Sequence, residues 1–365
     1  MTWLETVSER IGPLDATASA AAAARLDQLT KPPGSLGRLE ALAIRLAGIS
    51  GAEIPRFERP AIVVFAADHG VTAQGVSAYP SAVTAQMVAN FVGGGAAINV
   101  LARRAGARVV VVDVGVAGPT PGVGDGRAPG GAGGAGGAQF IANRIADGTR
   151  DMTREAAMTP AETLAGIEAG RSTVAELIGG GCDLLGVGEM GIGNTTAASA
   201  IAAVLTGRPA AEVTGRGTGL DDPAVRHKVT VIEAAIDRHR PDPADPIGVL
   251  AAVGGFEIAA LTGAILAAAE AHVPVVLDGF ITGSAALVAA AIAPGLSPRL
   301  VASHTSAEPG HRIVLAHLGL RPLLDLELRL GEGSGAALAL PLVAASTAIL
   351  AEMATFDSAG VSGPR

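Results

Sequence analysis

A single carboxylate, Glu332, stands among three glycines and a serine in the segment 330–338, Leu-Gly-Glu-Gly-Ser-Gly-Ala-Ala-Leu. Glycine has no side chain, so a planar ligand can approach this carboxylate closely. The leucine-rich approach at 326–330 is expected to withdraw the carboxylate from water and raise its pKa to a value useful for proton transfer. Ser334 is expected to cap a helix that begins at Gly335. The local alternative is a strand-to-helix turn that uses glycine for its geometry.

A second carboxylate, Glu189, follows a short apolar run in the segment 188–196, Gly-Glu-Met-Gly-Ile-Gly-Asn-Thr-Thr. A strand, a glycine-rich turn and a helix N-terminus together make an anion site, because free backbone N–H groups and the helix dipole converge there. Asn194, Thr195 and Thr196 add side-chain donors, so a phosphate is the expected ligand. An acid beside a phosphate suits a ribose 5'-phosphate whose anomeric carbon becomes positive, since Glu189 would stabilise that charge.

Two familiar phosphate motifs are weak alternatives here. Residues 186–191 match G-x-G-x-x-G, but Glu189 would face a pyrophosphate with like charge. The acid about 20 residues later in that fingerprint would be Glu212, which does not end a strand-like run. A P-loop requires lysine where Asn194 stands. The sequence contains neither H-E-x-x-H nor G-x-S-x-G.

Composition excludes several classes of protein. The 365 residues include 26 Lys and Arg against 34 Asp and Glu, and 2% aromatic residues, which makes nucleic acid an unsuitable partner. The apolar stretches at 250–269 and 285–293 are broken or too short to span a bilayer. Glu5 and Glu9 lie where a signal peptide has basic and then apolar residues. Cys182 is the only cysteine, which excludes an intrachain disulfide and a thiolate metal site. We therefore expect a soluble cytoplasmic protein without nucleic-acid or membrane partners.

Short apolar runs alternate with helical patterns, which predicts an α/β fold with a parallel sheet flanked by helices on both faces. Residues 1–50 are predicted to be helical, and the glycine-rich stretch 118–137 to be a mobile loop. The predicted strands are 61–67, 108–114, 182–187, 273–277 and 299–303. Ligands of such sheets bind beyond the carboxyl ends of the strands. The polar residues at these ends are Asp68, His69, Asp113, Glu189, Asp278 and His304.

The ordered motifs of the chain resemble those of the nicotinate-nucleotide:dimethylbenzimidazole phosphoribosyltransferase family. They begin with Lys-Pro-Pro-Gly-Ser-Leu-Gly at 31–37, span nearly the whole chain and are specific as an ordered set. The others are 66–70, 188–196, 215–219, 277–280, 303–308 and 329–336. The resemblance implies transfer of the 5-phosphoribosyl group of nicotinate mononucleotide to 5,6-dimethylbenzimidazole. The products would be α-ribazole 5'-phosphate and nicotinate, in the synthesis of the lower ligand of cobalamin.

The resemblance also implies roles for individual residues. Glu332 corresponds to the catalytic glutamate, Glu189 to a second active-site glutamate and Lys228 to an active-site lysine. The remaining residues expected to bind substrate are Gly191 beside Glu189, Gly193, Asn194, Thr195 and Thr196 at the phosphate, Ser77, Tyr79 and Gln86 of the segment 77–87 at the benzimidazole, and Asp278, Gly333 and Ser334. The stretch 118–137 departs from the family pattern.

For the architecture, the resemblance implies a homodimer of subunits with a large Rossmann-like parallel α/β domain and a smaller helical domain formed by both chain ends. We expect residues 1–55 to be the N-terminal part of the small domain and 56–325 the large domain. Residues 326–365 would supply the active-site glutamate loop and the C-terminal helix. Neither a cofactor nor a metal is expected, because the pyridinium is already cationic and one base suffices.

Two other functions stay open on the sequence alone. A dinucleotide-dependent oxidoreductase would bind a nicotinamide dinucleotide saturably and transfer hydride. A non-catalytic nucleotide-binding protein would bind the mononucleotide without turning over any azole base.

Overall fold

The protein is built around one six-stranded sheet. The computed structural model describes residues 2–119 and 136–363. The strands are β1 (Pro60–Ala67), β2 (Arg108–Gly115), β3 (Gln139–Ala142), β4 (Leu184–Met190), β5 (Val275–Leu277) and β6 (Leu300–Ala302). Their order is β3-β2-β1-β4-β5-β6 and every neighbouring pair is parallel. The predicted parallel α/β fold is confirmed.

Helices connect the strands and extend beyond both ends of the sheet. They are α1 (Trp3–Arg10), α2 (Ala16–Gln28), α3 (Arg38–Ser50), α4 (Ala82–Gly93), α5 (Ala97–Arg104), α6 (Pro160–Gly179), α7 (Asn194–Thr206), α8 (Ala210–Val213), α9 (Asp222–His239), α10 (Pro246–Val253), α11 (Phe256–Glu270), α12 (Phe280–Ile292), α13 (Pro309–His317), α14 (Ser334–Glu352) and α15 (Phe356–Ala359). Two short 3-10 helices lie at Gly70–Gln74 and Ser297–Arg299.

The residues of β1 explain why both faces of the sheet are covered. Successive side chains of a strand point to opposite faces, and those of β1 divide between two apolar clusters. Val63 and Phe65 belong to one cluster, whereas Ile62 and Val64 belong to the other. Val63 is paired with β2 on one side and with β4 on the other. A strand buried on both faces and both edges reads as a continuous apolar run, which is how it was recognised.

One strand was missed and several boundaries differ from the sequence expectations, since the predicted strands 273–277 and 299–303 are shorter in the structure, as β5 and β6. Strand β3 was not predicted; its four residues lie at the sheet edge, and Gln139, Phe140 and Ile141 are only half-buried. The third predicted strand, 182–187, begins later and continues to Met190, so Glu189 belongs to β4 itself. Of the stretch 118–137, residues 120–135 lie outside the described part of the chain.

Both chain ends contribute to a third apolar cluster. It joins Leu26 of α2, Ala43 and Ala47 of α3, and Leu350 of α14. Helix α14 also packs on the sheet, where Ala336 and Leu340 join the same cluster as Ile62. The division into domains at residues 55 and 325 stays a prediction.

Two segments, 82–104 and 334–352, are long and apolar enough to cross a membrane by length and composition alone. In the structure the first consists of two helices, α4 and α5, separated by a turn. The second is α14, whose apolar residues lie between the sheet and the N-terminal helices. Only the second segment is buried over more than half of its apolar window, 56% against 39% for the first.

Candidate active site

A cavity of about 440 Å³ opens at the carboxyl ends of the strands. This volume suits a small organic ligand. Its walls come from residues 79–87 after β1, 189–195 at the end of β4, 279–281 after β5, 304–308 after β6, and the segments 217–218 and 329–332. The chain leaves β1 toward β2 and returns to the other side of β1 as β4. The cavity therefore lies where the strand order reverses, the usual ligand position in such sheets.

Glu332 lines this cavity in an unusual backbone conformation. Its φ is +65°, and the flanking Gly331 and Gly333 have φ of +83° and +85°. Glycine adopts this left-handed region freely, whereas a glutamate there is held at a cost by its surroundings. The side chain is 5% exposed, and its Oε2 has no hydrogen-bond partner in the described part of the chain. Glu332 is therefore a buried carboxylate at the cavity wall, one oxygen of which has no partner among the described residues.

The glycines of β4 allow the loop around Glu332 to lie directly on the strand. A Cβ on Gly188 would clash with the backbone nitrogen of Gly333 and lie 2.6 Å from the carbonyl carbon of Glu332. A Cβ on Gly186 would lie 3.0 Å from Ile62. The G-x-G-x-x-G match at 186–191 is thus accounted for by backbone packing.

Asp278 binds the N-terminus of α14 from the end of β5. Its Oδ2 accepts from the backbone N–H of Gly333 at 3.0 Å. Its Oδ1 accepts from Gly335 at 2.7 Å and from Ala336 at 3.3 Å. The prediction that Ser334 caps this helix is wrong: the helix begins at Ser334, and the Ser334 hydroxyl is buried without a partner among the described residues. Asp278 reaches the free N–H groups instead, from a distant part of the chain.

Three buried carboxylates have raised pKa values. Burial raises the pKa of Glu332 to about 7, opposed by the nearby backbone N–H of Ile98. Burial also raises the pKa of Asp278 to about 7, against its three backbone donors. Burial and the charges of Asp278, Glu257 and Glu332 raise the pKa of Glu189 well above its ordinary value, although the Asn194 amide opposes this. The empty site therefore disfavours three simultaneous negative charges.

The source of this desolvation differs from the prediction. Leu326 is 53% exposed and Leu330 is 56% exposed, so the leucine-rich approach does not cover Glu332. Instead the adjacent backbone is packed against Gly188 and against the side chains of Ile62 and Ile98. The expected rise in pKa is thus produced by the sheet and α5.

A glycine-containing turn joins β4 to α7 at the position predicted for an anion site, and the N–H groups of Asn194 and Thr196 donate to carbonyls within that turn. Gly193, with φ +96°, precedes α7, which begins at Asn194. Thr84 of α4 fixes the turn by accepting from the backbone N–H of Ile192 at 3.1 Å. Lys228 is fully buried and donates to Thr195 Oγ1 at 2.7 Å. Burial lowers the pKa of Lys228 to about 8, and the charge of Glu308 opposes this, so Lys228 is largely cationic at neutral pH.

The turn after β4 packs against a buried pair of side chains, His69 and Glu257. His69 Nε2 lies 2.7 Å from Glu257 Oε1, and both side chains are almost completely buried. Burial disfavours charge on the imidazole, but the Glu257 carboxylate outweighs it and raises the pKa of His69. Gly191 and Gly193 pack on His69, where a Cβ would lie 3.4 Å and 3.2 Å from its atoms. The Asp-His-Gly motif after β1 therefore supports the site, because its histidine packs against the turn after β4.

The structure brings part of the predicted set into the cavity wall. The predicted residues that line it are Tyr79, Glu189, Gly191, Asn194, Thr195 and Glu332. Those outside the lining are Ser77, Gln86, Gly193, Thr196, Lys228, Asp278, Gly333 and Ser334. Ser77 contacts Thr218, and Gln86 is exposed on α4 while its neighbours Val83 and Met87 face the cavity. The roles of all these residues stay predictions.

Other lining residues were not assigned to a substrate, although His304 among them was expected at the end of a strand. They are Val83, Met87, Met190, Ile192, Gly217, Thr218, Gly279, Phe280, Ile281, His304, Ser306, Glu308, Arg329, Leu330 and Gly331. Several follow β5 or β6 directly, so their position after a predicted strand was the available signal. Glu308 also fixes the 215–219 loop, because its Oε1 accepts from the backbone N–H of Gly217 at 2.9 Å.

Known proteins resemble this chain along its length. A family model described as phosphoribosyltransferase matches residues 11–361. The nicotinate-nucleotide–dimethylbenzimidazole phosphoribosyltransferase of a Roseiflexus species is 53% identical over 363 residues, covering 100% of this chain and 99% of that protein. The protein of the same name from Desulforudis audaxviator is 54% identical over 359 residues, covering 98% of each. A crystal structure of such an enzyme from Thermus thermophilus has a TM-score of 0.87 at 47% identity, covering 96% of this chain and 100% of that one.

The contact between Gly188 and the Glu332 loop yields a first prediction. Gly188→Ala places a Cβ where the backbone of Gly333 lies, so the loop must move away from β4. A displacement of about 1 Å at a catalytic group reduces rate by roughly 10²-fold. We expect activity to fall by that order in steady-state assays. Gly179→Ala is the matched control, because a Cβ there meets nothing within 4 Å. Wild-type activity in Gly188→Ala would contradict the importance of this contact.

Proposed function

The chain belongs to the nicotinate-nucleotide–dimethylbenzimidazole phosphoribosyltransferase family, and we propose that it transfers the phosphoribosyl group of nicotinate mononucleotide to 5,6-dimethylbenzimidazole. The products are α-ribazole 5'-phosphate and nicotinate, and the reaction belongs to cobalamin biosynthesis. The observation that best supports this function is Glu332, a buried carboxylate facing a cavity that also contains a phosphate-type turn.

The phosphate of the mononucleotide is assigned to the turn before α7. The positive end of the α7 dipole favours an anion there, while the N–H groups of Asn194 and Thr196 donate to the carbonyls of Gly191 and Gly193 within the turn. The Thr195 hydroxyl adds a donor, and Lys228 adds a positive charge through its contact with Thr195. A bound phosphate would in turn favour the protonated form of Lys228.

Glu189 is assigned to the positive charge of the sugar. The pyridinium of nicotinate mononucleotide is cationic, and departure of neutral-ring nicotinate leaves positive charge on the anomeric carbon. A carboxylate beside that carbon stabilises the transition state more than the ground state of an uncharged sugar. The positively charged ring of the bound nucleotide favours the ionised forms of Glu189 and Glu332.

Glu332 is assigned as the base. The benzimidazole loses its N–H proton as a ring nitrogen bonds to the anomeric carbon, and Glu332 accepts that proton. Attack on the face opposite the leaving group converts a β-glycosidic bond into an α-glycosidic one. Ionised carboxylate is the active form, so kcat/KM is expected to decrease below about pH 7, the pKa of Glu332 in the empty site.

The direct test of the reaction is incubation of the protein with nicotinate mononucleotide and 5,6-dimethylbenzimidazole, followed by chromatography. Formation of α-ribazole 5'-phosphate with equal release of nicotinate supports the function. Saturable binding of the mononucleotide without product would support a non-catalytic nucleotide-binding protein. Hydride transfer with a nicotinamide dinucleotide would support an oxidoreductase instead.

Substitutions of the two glutamates separate their roles. Glu332→Gln keeps the shape of the side chain but cannot accept a proton, so kcat should fall by ~10²–10⁴, or about 3–5 kcal/mol of barrier. Mononucleotide binding should survive, and the decrease of rate below about pH 7 should disappear. Glu189→Gln should also slow the reaction but retain that decrease. The assignment of the base is refuted if Glu332→Gln keeps near-normal kcat, or if the acid limb disappears with Glu189 instead.

The phosphate assignment predicts a selective effect on one substrate. Thr195→Ala and Lys228→Ala remove a donor and a buried charge next to the turn, so each should raise KM for the mononucleotide more than for dimethylbenzimidazole. Thr206→Ala, at the opposite end of α7, is the matched control. Initial rates measured while the concentration of each substrate is varied give the two KM values to be compared. Equal effects on the two KM values would count against the placement.

We also propose that the protein is a cytoplasmic homodimer whose sites lie near the interface. Tyr79 and Leu330 line the cavity and are about half exposed, and the nearby Leu326 is equally exposed. Exposed apolar residues at the mouth of a site are suited to burial by a second copy. Sedimentation at micromolar concentration should detect a dimer, and Leu326→Glu should weaken it. A fully active monomer under these conditions would refute the proposal.

A further inference from the structure

We propose that Asp278 is a positioning residue for the reaction, which holds Glu332 in its catalytic conformation by binding the first turn of α14. This inference rests on the proposed function, because it assigns a role relative to Glu332 as the base. It differs from the expectation that Asp278 binds substrate.

The contacts of Asp278 are to the backbone of the loop and not to the cavity. The side chain is 1% exposed and does not belong to the cavity lining. Its Oδ2 accepts from Gly333, and its Oδ1 accepts from Gly335 and Ala336. Both oxygens are therefore occupied by backbone donors that begin one residue after Glu332.

These hydrogen bonds explain how the strained loop is held. A glutamate in the left-handed region requires stabilisation from its surroundings. The donor nearest to it, the N–H of Gly333, is bound by Asp278, and Gly188 fixes the same residue from the side of β4. The loop is thereby attached to β5 and to β4. A loose loop would let Glu332 adopt other conformations and turn away from the cavity.

The charges around Asp278 favour the same arrangement. His304 Nδ1 lies 3.9 Å from Asp278 Oδ1, but burial lowers the pKa of His304 to about 4, so its imidazole is neutral near pH 7. Glu332 and Glu189 also face Asp278, and both repel its charge. The favourable partners of the carboxylate are thus the backbone N–H groups and the positive end of the α14 dipole.

Asp278→Asn tests the role with little change of volume. An amide has one oxygen, so either Gly333 or the Gly335–Ala336 pair must face an NH₂ group. We expect kcat to fall by roughly 10²-fold while KM for the mononucleotide stays near the wild-type value. The acid limb of kcat/KM should also move to lower pH, because a loosened loop exposes Glu332 to solvent and burial is what raises its pKa.

The matched control is Asp245→Asn, the same change at an exposed helix cap remote from the cavity. Asp245 accepts from Gly248 at 2.9 Å, and its substitution should leave kcat and the pH profile unchanged. A purely structural role for Asp278 would reduce the amount of active enzyme without moving the acid limb. Wild-type kcat together with a wild-type pH profile in Asp278→Asn overturns the proposal.

Amide hydrogen exchange on the unmodified enzyme keeps the test decisive if the variant does not fold. First-turn amides of a helix exchange rapidly unless a side chain binds them. The amides of Gly333, Gly335 and Ala336 should be protected, and rapid exchange there overturns the proposal. Absence of turnover by the wild-type enzyme, or full activity of Glu332→Gln, would instead refute the proposed function. Neither result would contradict the hydrogen bonds of Asp278.

Discussion

The backbone of β4 and the backbone around Glu332 are in contact with no side chain between them, and the site depends on this contact. Gly188 makes it possible, since any larger residue would occupy the space of Gly333. The contact places a loop from the C-terminal part of the chain on the central region of the sheet. Glu332 and Glu189 then face the same cavity, although one lies before α14 and the other lies within β4.

The electrostatic consequence is a cavity prepared for positive charge. Glu189, Glu332 and Asp278 are all buried, and burial raises the pKa of each. A cationic pyridinium relieves this unfavourable concentration of acids, so part of its binding energy comes from groups already in place. After transfer, free nicotinate has lost the positive ring charge and keeps its carboxylate. The same acids then repel it, which favours release of the product.

The sequence predicted the elements that are defined locally and missed those defined by distant contacts. Strand β1 was recognised because burial on all sides leaves a continuous apolar run, whereas β3 is short, half-buried and at the edge. The glycines around Glu332 indicated that a ligand could approach its carboxylate. The sequence did not reveal that the leucines before it are exposed. The capping of α14 was assigned to Ser334 because serine is the nearest capping residue. Asp278 performs it from the end of β5, and no local pattern contains that information.

Attachment of α14 to the sheet also has a consequence for the order of folding. All six strands precede residue 303, whereas Glu332 and α14 follow them. During synthesis the chain emerges from its N-terminus, so the strands are available for pairing before the loop that carries the proposed base. The sheet can therefore assemble while the part of β4 that later contacts the Glu332 loop is still exposed to water. If Glu332 is the base, as proposed, activity requires the docking of α14, because Glu332 lies directly before this helix.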